Sequence, residues 1–168
     1  MDSNLERYLN DHLAGSSGAV DLIQAIADAD LEQRAFFVEL KNKVEQDRVL
    51  LKELIEGLGH TSSGILQAAG SLSEKAGRLK LLWEGLEPGR LGMFEAMEVL
   101  SLGIQGKRLL WVVLRELAPH IPEWEKYDFS DLEKDAIKQR DAVEARRVQA
   151  GVKALLDAER ISGDPVPG

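Results

Sequence analysis

Apolar residues recur at three- and four-residue intervals along most of the chain, and this spacing predicts five helices. The first, from about Ser3 to Ala29, aligns Leu5, Leu9, Ala19, Ile23 and Ile26, with His12 and Ser16 in the same stripe. The second, from about Leu31 to Leu58, aligns Leu40, Val44, Leu51, Leu54 and Leu58, with Asp47 among them and Phe37 and Ile55 beside them. The third, from about Gly64 to Leu86, contains Leu66, Ala69, Leu72, Ala76, Leu79 and Trp83. The fourth, from about Leu91 to Leu117, is apolar on two sides. One stripe is Leu91, Phe94, Glu98, Leu102, Gln105, Leu109 and Val112; the other is Met97, Leu100, Ile104, Trp111 and Leu114. A helix apolar on two sides is covered on two sides, so Trp83, Leu100, Ile104 and Trp111 are expected under the third helix or at a homodimer contact. The fifth, from about Asp131 to Ala158, reads Leu132, Ala136, Gln139, Val143, Arg147, Ala150 and Ala154.

Turn chemistry punctuates these segments. Asp28-Ala29-Asp30 makes the first turn, with Asp30 as N-cap. Gly57 and Gly59 stop the second helix, Pro88-Gly89 breaks the third, and Pro119 and Pro122 end the fourth. Ser130 with Glu133 reads as a capping box for the fifth. Gly15 and Gly18, like Gly103 and Gly106, are expected to admit a neighbouring helix closely. Residues 1–161 then form one domain, and Ser162 to Gly168, with two prolines, a disordered tail. Four of the helices are ~40 Å long and the third ~35 Å, enough to carry the chain back along a bundle. Two antiparallel hairpins joined by a long crossover follow; a five-helix up-and-down array is the alternative.

Composition narrows the functional classes. The 168 residues are 44% hydrophobic and 30% charged, which suits one globular domain. A formal net charge of −8 argues against nucleic acid and against anionic lipid as partners. No apolar run approaches the ~20 residues of a membrane span, and the acidic start, Met1-Asp2-Ser3-Asn4-Leu5-Glu6, is not that of a signal peptide, so a cytoplasmic location is expected. The chain has no cysteine, which excludes disulfides, iron–sulfur clusters and thiol nucleophiles.

The layout across about residues 3–158, with Asp11-His12-Leu13-Ala14-Gly15 and Glu45-Gln46-Asp47-Arg48, resembles the ferritin-like superfamily, and within it a bacterial branch that lacks the di-metal ligand motif. The resemblance implies an all-α, ferritin-like four-helix bundle with an additional helix in its long crossover. A di-metal site of that superfamily takes a Glu from each of two helices and Glu-x-x-His from each of the other two. No Glu-x-x-His occurs here: Glu45-x-x-Arg48 and Glu144-x-x-Arg147 put a cation where an imidazole is needed, and His12 stands where a Glu would. Glu95 and Glu98 alone match a ligand position. Neither a metal nor another cofactor is therefore expected, and no catalytic residue is assigned.

What remains is a polar residue in each apolar stripe. His12 and Asp47 are equidistant from the first turn, and in the ferritin-like layout Gln105 and Gln139 fall near their level. Buried polar groups cost several kcal/mol unless paired, so a buried polar layer is expected, pairing His12 with Asp47, Glu98 with Arg147 and Gln105 with Gln139. The competing reading is a small-molecule or single-metal pocket built on His12, Asp47 and Glu98, which the nearby cations Arg48, Lys107 and Arg147 oppose. Glu56 with His60 and Glu116 with His120 are a weaker surface metal pattern, since Pro119 disrupts the second pair. The leading expectation is a non-enzymatic bundle that binds a partner, a ligand the sequence does not name, or itself as a homodimer; an atypical metal-binding oxidoreductase or storage protein is the alternative.

Overall fold

The computed structural model describes residues 3–59 and 85–156, and among these there are helices and turns but no strand. The helices are α1 (Ser3–Ala29), α2 (Arg34–Gly57), α3 (Leu91–Leu117) and α4 (Phe129–Leu155), with single 3-10 turns at Ala118–His120 and Pro122–Trp124. None is long and apolar enough to cross a membrane. The expected crossover helix, with Trp83, lies outside the described residues except at its end, and so does the expected tail.

The helix ends follow from local chemistry. Buried Asp30 closes the first turn: its carboxylate accepts from the Gln33 backbone N–H at 3.1 Å and from the Gln33 amide at 2.8 Å. Residues 31–33 are thereby drawn into a turn, and α2 starts at Arg34 instead of Leu31. Past α2, Gly59 takes φ +81°, a left-handed conformation that glycine adopts without steric cost. At α4 the cap is Asp128, whose carboxylate accepts from the N–H groups of Ser130 and Asp131 at 2.9 and 3.0 Å. The expected Ser130–Glu133 capping box does not form. Glu133 is held elsewhere, by Arg108 at 3.1 Å and Arg115 at 2.7 Å, both on α3.

α1 pairs with α2 and α3 with α4, each pair antiparallel, and α1 also lies against α3. Two apolar clusters show how the pairs meet. One gathers Ile23 and Ile26 of α1, Phe37 and Leu40 of α2, Met93, Met97 and Leu100 of α3, and Val143 of α4. The other gathers Leu9 and Leu13, Leu51 and Leu54, Trp111 and Leu114, then Trp124, Phe129 and Ala136. The first half of α2 therefore shares a cluster with the first half of α3: the two helices run in the same direction. An up-and-down array would make them antiparallel. The end of α2 and the start of α3 therefore lie at opposite ends of the bundle, and Leu86, just before α3, is buried in the first cluster.

The phase of α3 corrects the sequence reading. Met93, Ala96, Met97, Leu100, Ile104, Leu110, Trp111 and Leu114 face the core. In the stripe beginning at Leu91, Leu102 is 68% and Leu109 51% exposed, while Phe94, Glu98 and Gln105 lie on the seam with α4. Leu100, Ile104 and Trp111, expected under the third helix or at a homodimer contact, are buried in the clusters formed by the described helices, and the third helix itself lies outside the described residues except at its end. A helix with two apolar sides cannot be phased from periodicity alone, because both choices satisfy it. Trp124, which carried no expectation, seals one end: its indole N–H donates to the Leu54 carbonyl at 3.4 Å and its ring packs on Phe129.

This phase makes a direct prediction. Met97→Ala should destabilise the protein by about 2–5 kcal/mol in chemical denaturation. Leu102→Ala should change stability by less than about 0.5 kcal/mol. Equal costs for the two would refute the orientation of α3.

Candidate functional site

The two apolar clusters leave a polar level between them. Asp47 of α2, Lys107 of α3 and Gln139 of α4 occupy it. The Lys107 ammonium donates to the Asp47 carboxylate at 2.6 Å and to the side-chain oxygen of Gln139. Both members of the ion pair are largely buried, Lys107 at 14% and Asp47 at 18% side-chain exposure. Burial raises the Asp47 carboxyl above its usual range, and Lys107 opposes the shift without cancelling it. Lys107 stands between Ile104 and Trp111 on the buried side of α3, and the sequence reading had placed it only as a neighbouring cation.

The expected six-residue layer is therefore distributed over separate groups. Glu98 meets Arg147 at 3.5 Å, but on the α3–α4 seam with Glu98 about half exposed, and Arg147 also holds Glu144. Gln105 accepts from Arg140 at 2.8 Å instead of meeting Gln139. His12 packs edge-on against Tyr8, ring centroids 4.7 Å apart, and no hydrogen bond joins it to Asp47. The reason is the hairpin register. Because α2 starts late, Ser16 and Ser17 stand opposite Arg48, and Gln24 opposite Lys41. His12 falls about one turn beyond Asp47. Lys107 takes the carboxylate, since a cation satisfies a buried anion better than a neutral imidazole does. The residues weighed as metal ligands, His12, Asp47 and Glu98, thus have separate partners, and among the described residues no group of three or more His, Asp or Glu is placed to hold a metal. Of the surface pattern, His60 lies outside the described residues, and Glu116 is paired with Arg115.

Beside the polar level, α1, α2 and α3 enclose a cavity of about 420 Å³. Its walls are apolar: Ala19, Val44, Leu51, Leu100, Ile104 and Leu110. Its polar groups are Tyr8, Asp11, His12, Ser16, Asp47, Arg48, Lys107 and Trp111. Gly15 and Gly103 are exposed and stand at its rim. A Cβ at either would meet nothing within 4 Å, so these glycines do not serve close helix packing as expected; they widen an opening between α1 and α3. Trp111 is 1% exposed, and among the described residues its indole N–H has no hydrogen-bond partner. Burial holds the His12 imidazole below its ordinary range, with Asp11 opposing.

Asp47 also lines a second, smaller groove, with Phe36, Leu40 and Lys43 of α2 facing Lys138, Gln139 and Ala142 of α4. There the Arg146 guanidinium lies 3.5 Å above the Phe36 ring. The Lys107–Asp47 pair thus forms a partition between cavity and groove.

No protein-family model, curated protein or solved structure matches the chain.

Two predictions follow from this geometry. Lys107→Met or Asp47→Leu alone should cost about 3 kcal/mol or more by stranding the other charge, and the double variant should cost much less than the sum. The pair His12→Leu and Asp47→Leu should be nearly additive. Reversal of these two cycles in denaturation measurements would overturn the assigned register. The second concerns pH. Unfolded His12 takes a proton near 6.5 while the folded imidazole resists it, so its contribution is complete above that pH and is lost as pH falls toward the lower folded value. Asp47 works in the opposite direction, gaining stability as pH falls through a folded value that lies above its ordinary 3.8. Between pH about 7.5 and about 5.5 the His12→Phe variant should lose less stability than the unaltered protein. Parallel pH curves would show that His12 is not held neutral.

Proposed function

We propose that the protein is a non-enzymatic, ferritin-like helical bundle whose role is to bind a small, mostly apolar molecule in the cavity between α1, α2 and α3. The supporting observation is that cavity, within the usual range of ligand pockets at about 420 Å³, with a largely apolar wall of Ala19, Val44, Leu51, Leu100, Ile104 and Leu110. Apolar walls supply affinity, and a few placed polar groups orient the guest. The ferritin-like assignment is supported by α2 and α3 running in the same direction, each in an antiparallel pair, with a long connection between them. A cytoplasmic, bacterial setting belongs to the same proposal, and the acidic balance of the chain accords with it. Self-association remains part of it through the outward apolar stripe of α3, which includes Val99, Leu102, Leu109 and Val113. The metal-storage alternative receives no comparable support, because Lys107 already neutralises Asp47 and Arg147 engages Glu98.

The test is a titration with the neutral fluorophore N-phenylnaphthylamine. Saturable binding at about one molecule per chain, with quenching of tryptophan fluorescence, is expected. Gly15→Phe and Gly103→Phe place bulk at the rim where a new side chain has room, and helix propensity favours both changes. Each should weaken the dye at least about tenfold, or ~1.4 kcal/mol. Failure of the unaltered protein to bind, or indifference of the dye to both substitutions, would remove the proposal.

A further inference from the structure

Two carboxylates, Asp11 and Asp47, and two cations, Arg48 and Lys107, line the cavity, and the way they are partnered points to the class of guest. Lys107 is matched by Asp47 and Gln139. Asp11 sits at the rim, 72% exposed, in contact with Arg7. Arg48 is different. Its Nε–H donates to the Ser16 hydroxyl at 3.0 Å and one terminal N–H to the Ser17 hydroxyl at 2.7 Å. Ser16 in turn donates to the Leu13 carbonyl, so its oxygen is oriented to accept from the guanidinium. Those bonds fix the fork without neutralising it, and among the described residues no carboxylate pairs with Arg48.

A guanidinium carries five N–H donors in a planar fork that matches a carboxylate edge, and among the described residues only two of them are engaged here, both by serine hydroxyls. We propose that the guest is a small organic monoanion, a carboxylate on a compact apolar or aromatic body, with its charged group on Arg48 and its body against Val44, Leu51, Leu100 and Ile104. The proposal rests on the cavity being a binding site. Position and chemistry support it together. Arg48 lines the cavity beside an apolar wall, and it is half-buried, where a charge-assisted pair is stronger than at an open surface. Lys107 already has its charge matched by Asp47, so it is a weaker seat for an anion than Arg48. A cationic guest would meet an unmatched positive charge, and a neutral one would leave it unanswered.

The experiment displaces N-phenylnaphthylamine with naphthoate and with naphthamide, which share a shape and differ in charge. Naphthoate is expected to bind at least about tenfold more tightly, with the preference shrinking as salt is raised. Arg48→Met should abolish the preference, weakening naphthoate about tenfold while changing naphthamide less than about twofold, and Arg48→Lys should restore part of it. Equal affinity of the two compounds for the unaltered protein would overturn the proposal whether or not any variant folds. So would a preference that survives Arg48→Met. In both cases the neutral fluorophore still binds, which separates this failure from failure of the cavity as a binding site.

Discussion

The Lys107 ammonium, held between Asp47 and Gln139, is the constraint around which the helices are arranged. It ties α2, α3 and α4 at one height, and the apolar clusters end on either side of it. An ion pair this far from water is a poor source of net stability, since desolvation offsets most of the attraction. Its value is positional. Any slip of α3 by one turn would carry Lys107 into one of the clusters and leave Asp47 charged without a partner, at a cost of several kcal/mol. The same argument applies to rotation of α3, whose outward stripe of Leu91, Leu102 and Leu109 would otherwise compete for the core. A helix with two apolar faces needs such a device, because hydrophobic burial alone does not choose between them.

Much of the architecture was legible in the sequence. The boundaries of α1, α3 and most of α2 follow from periodicity with glycine and proline stops, and the α2 stripe of Leu40, Val44, Leu51 and Leu54 is buried as its spacing predicts. The site was less legible, for two reasons. A three-residue difference at the first turn, set by the Asp30–Gln33 hydrogen bonds, moves every cross-hairpin neighbour and takes His12 away from Asp47. The α3 stripe also holds a polar member that the sequence reading passed over: Lys107 stands three residues after Ile104 and four before Trp111, in the core stripe itself. The signal that would have found it is an accounting one, since a carboxylate in the α2 stripe calls for a cation within reach of its level.

The cavity has the same origin as the polar level. At mid-height the side chains facing inward from α1 are small or polar, with Gly15, Ser16 and Ala19 along the rim and wall, and α3 presents Gly103 toward the same space. Large residues resume on both sides, with Leu9 and Leu13 toward one end and Ile23 and Ile26 toward the other. Small residues normally let helices approach. Here the two end clusters hold α1 and α3 apart, so the small residues become an opening. The glycine pattern was visible in the sequence, but its meaning depended on whether the flanking side chains set the helices close or wide.

Asp47 joins these features, because it lines the cavity, lines the groove between α2 and α4, and anchors Lys107 between them. A guest seated on Arg48 therefore lies next to an ion pair that fixes three helices. Its charge would oppose the neighbouring Asp47 carboxylate, whose protonation burial already promotes. The direction of the coupling follows. An anionic guest makes proton uptake by Asp47 easier, and by linkage protonation of Asp47 makes the anion bind more tightly. Binding and the central tie of the bundle are thus coupled through charge alone, and no movement of the helices is required for either to sense the other.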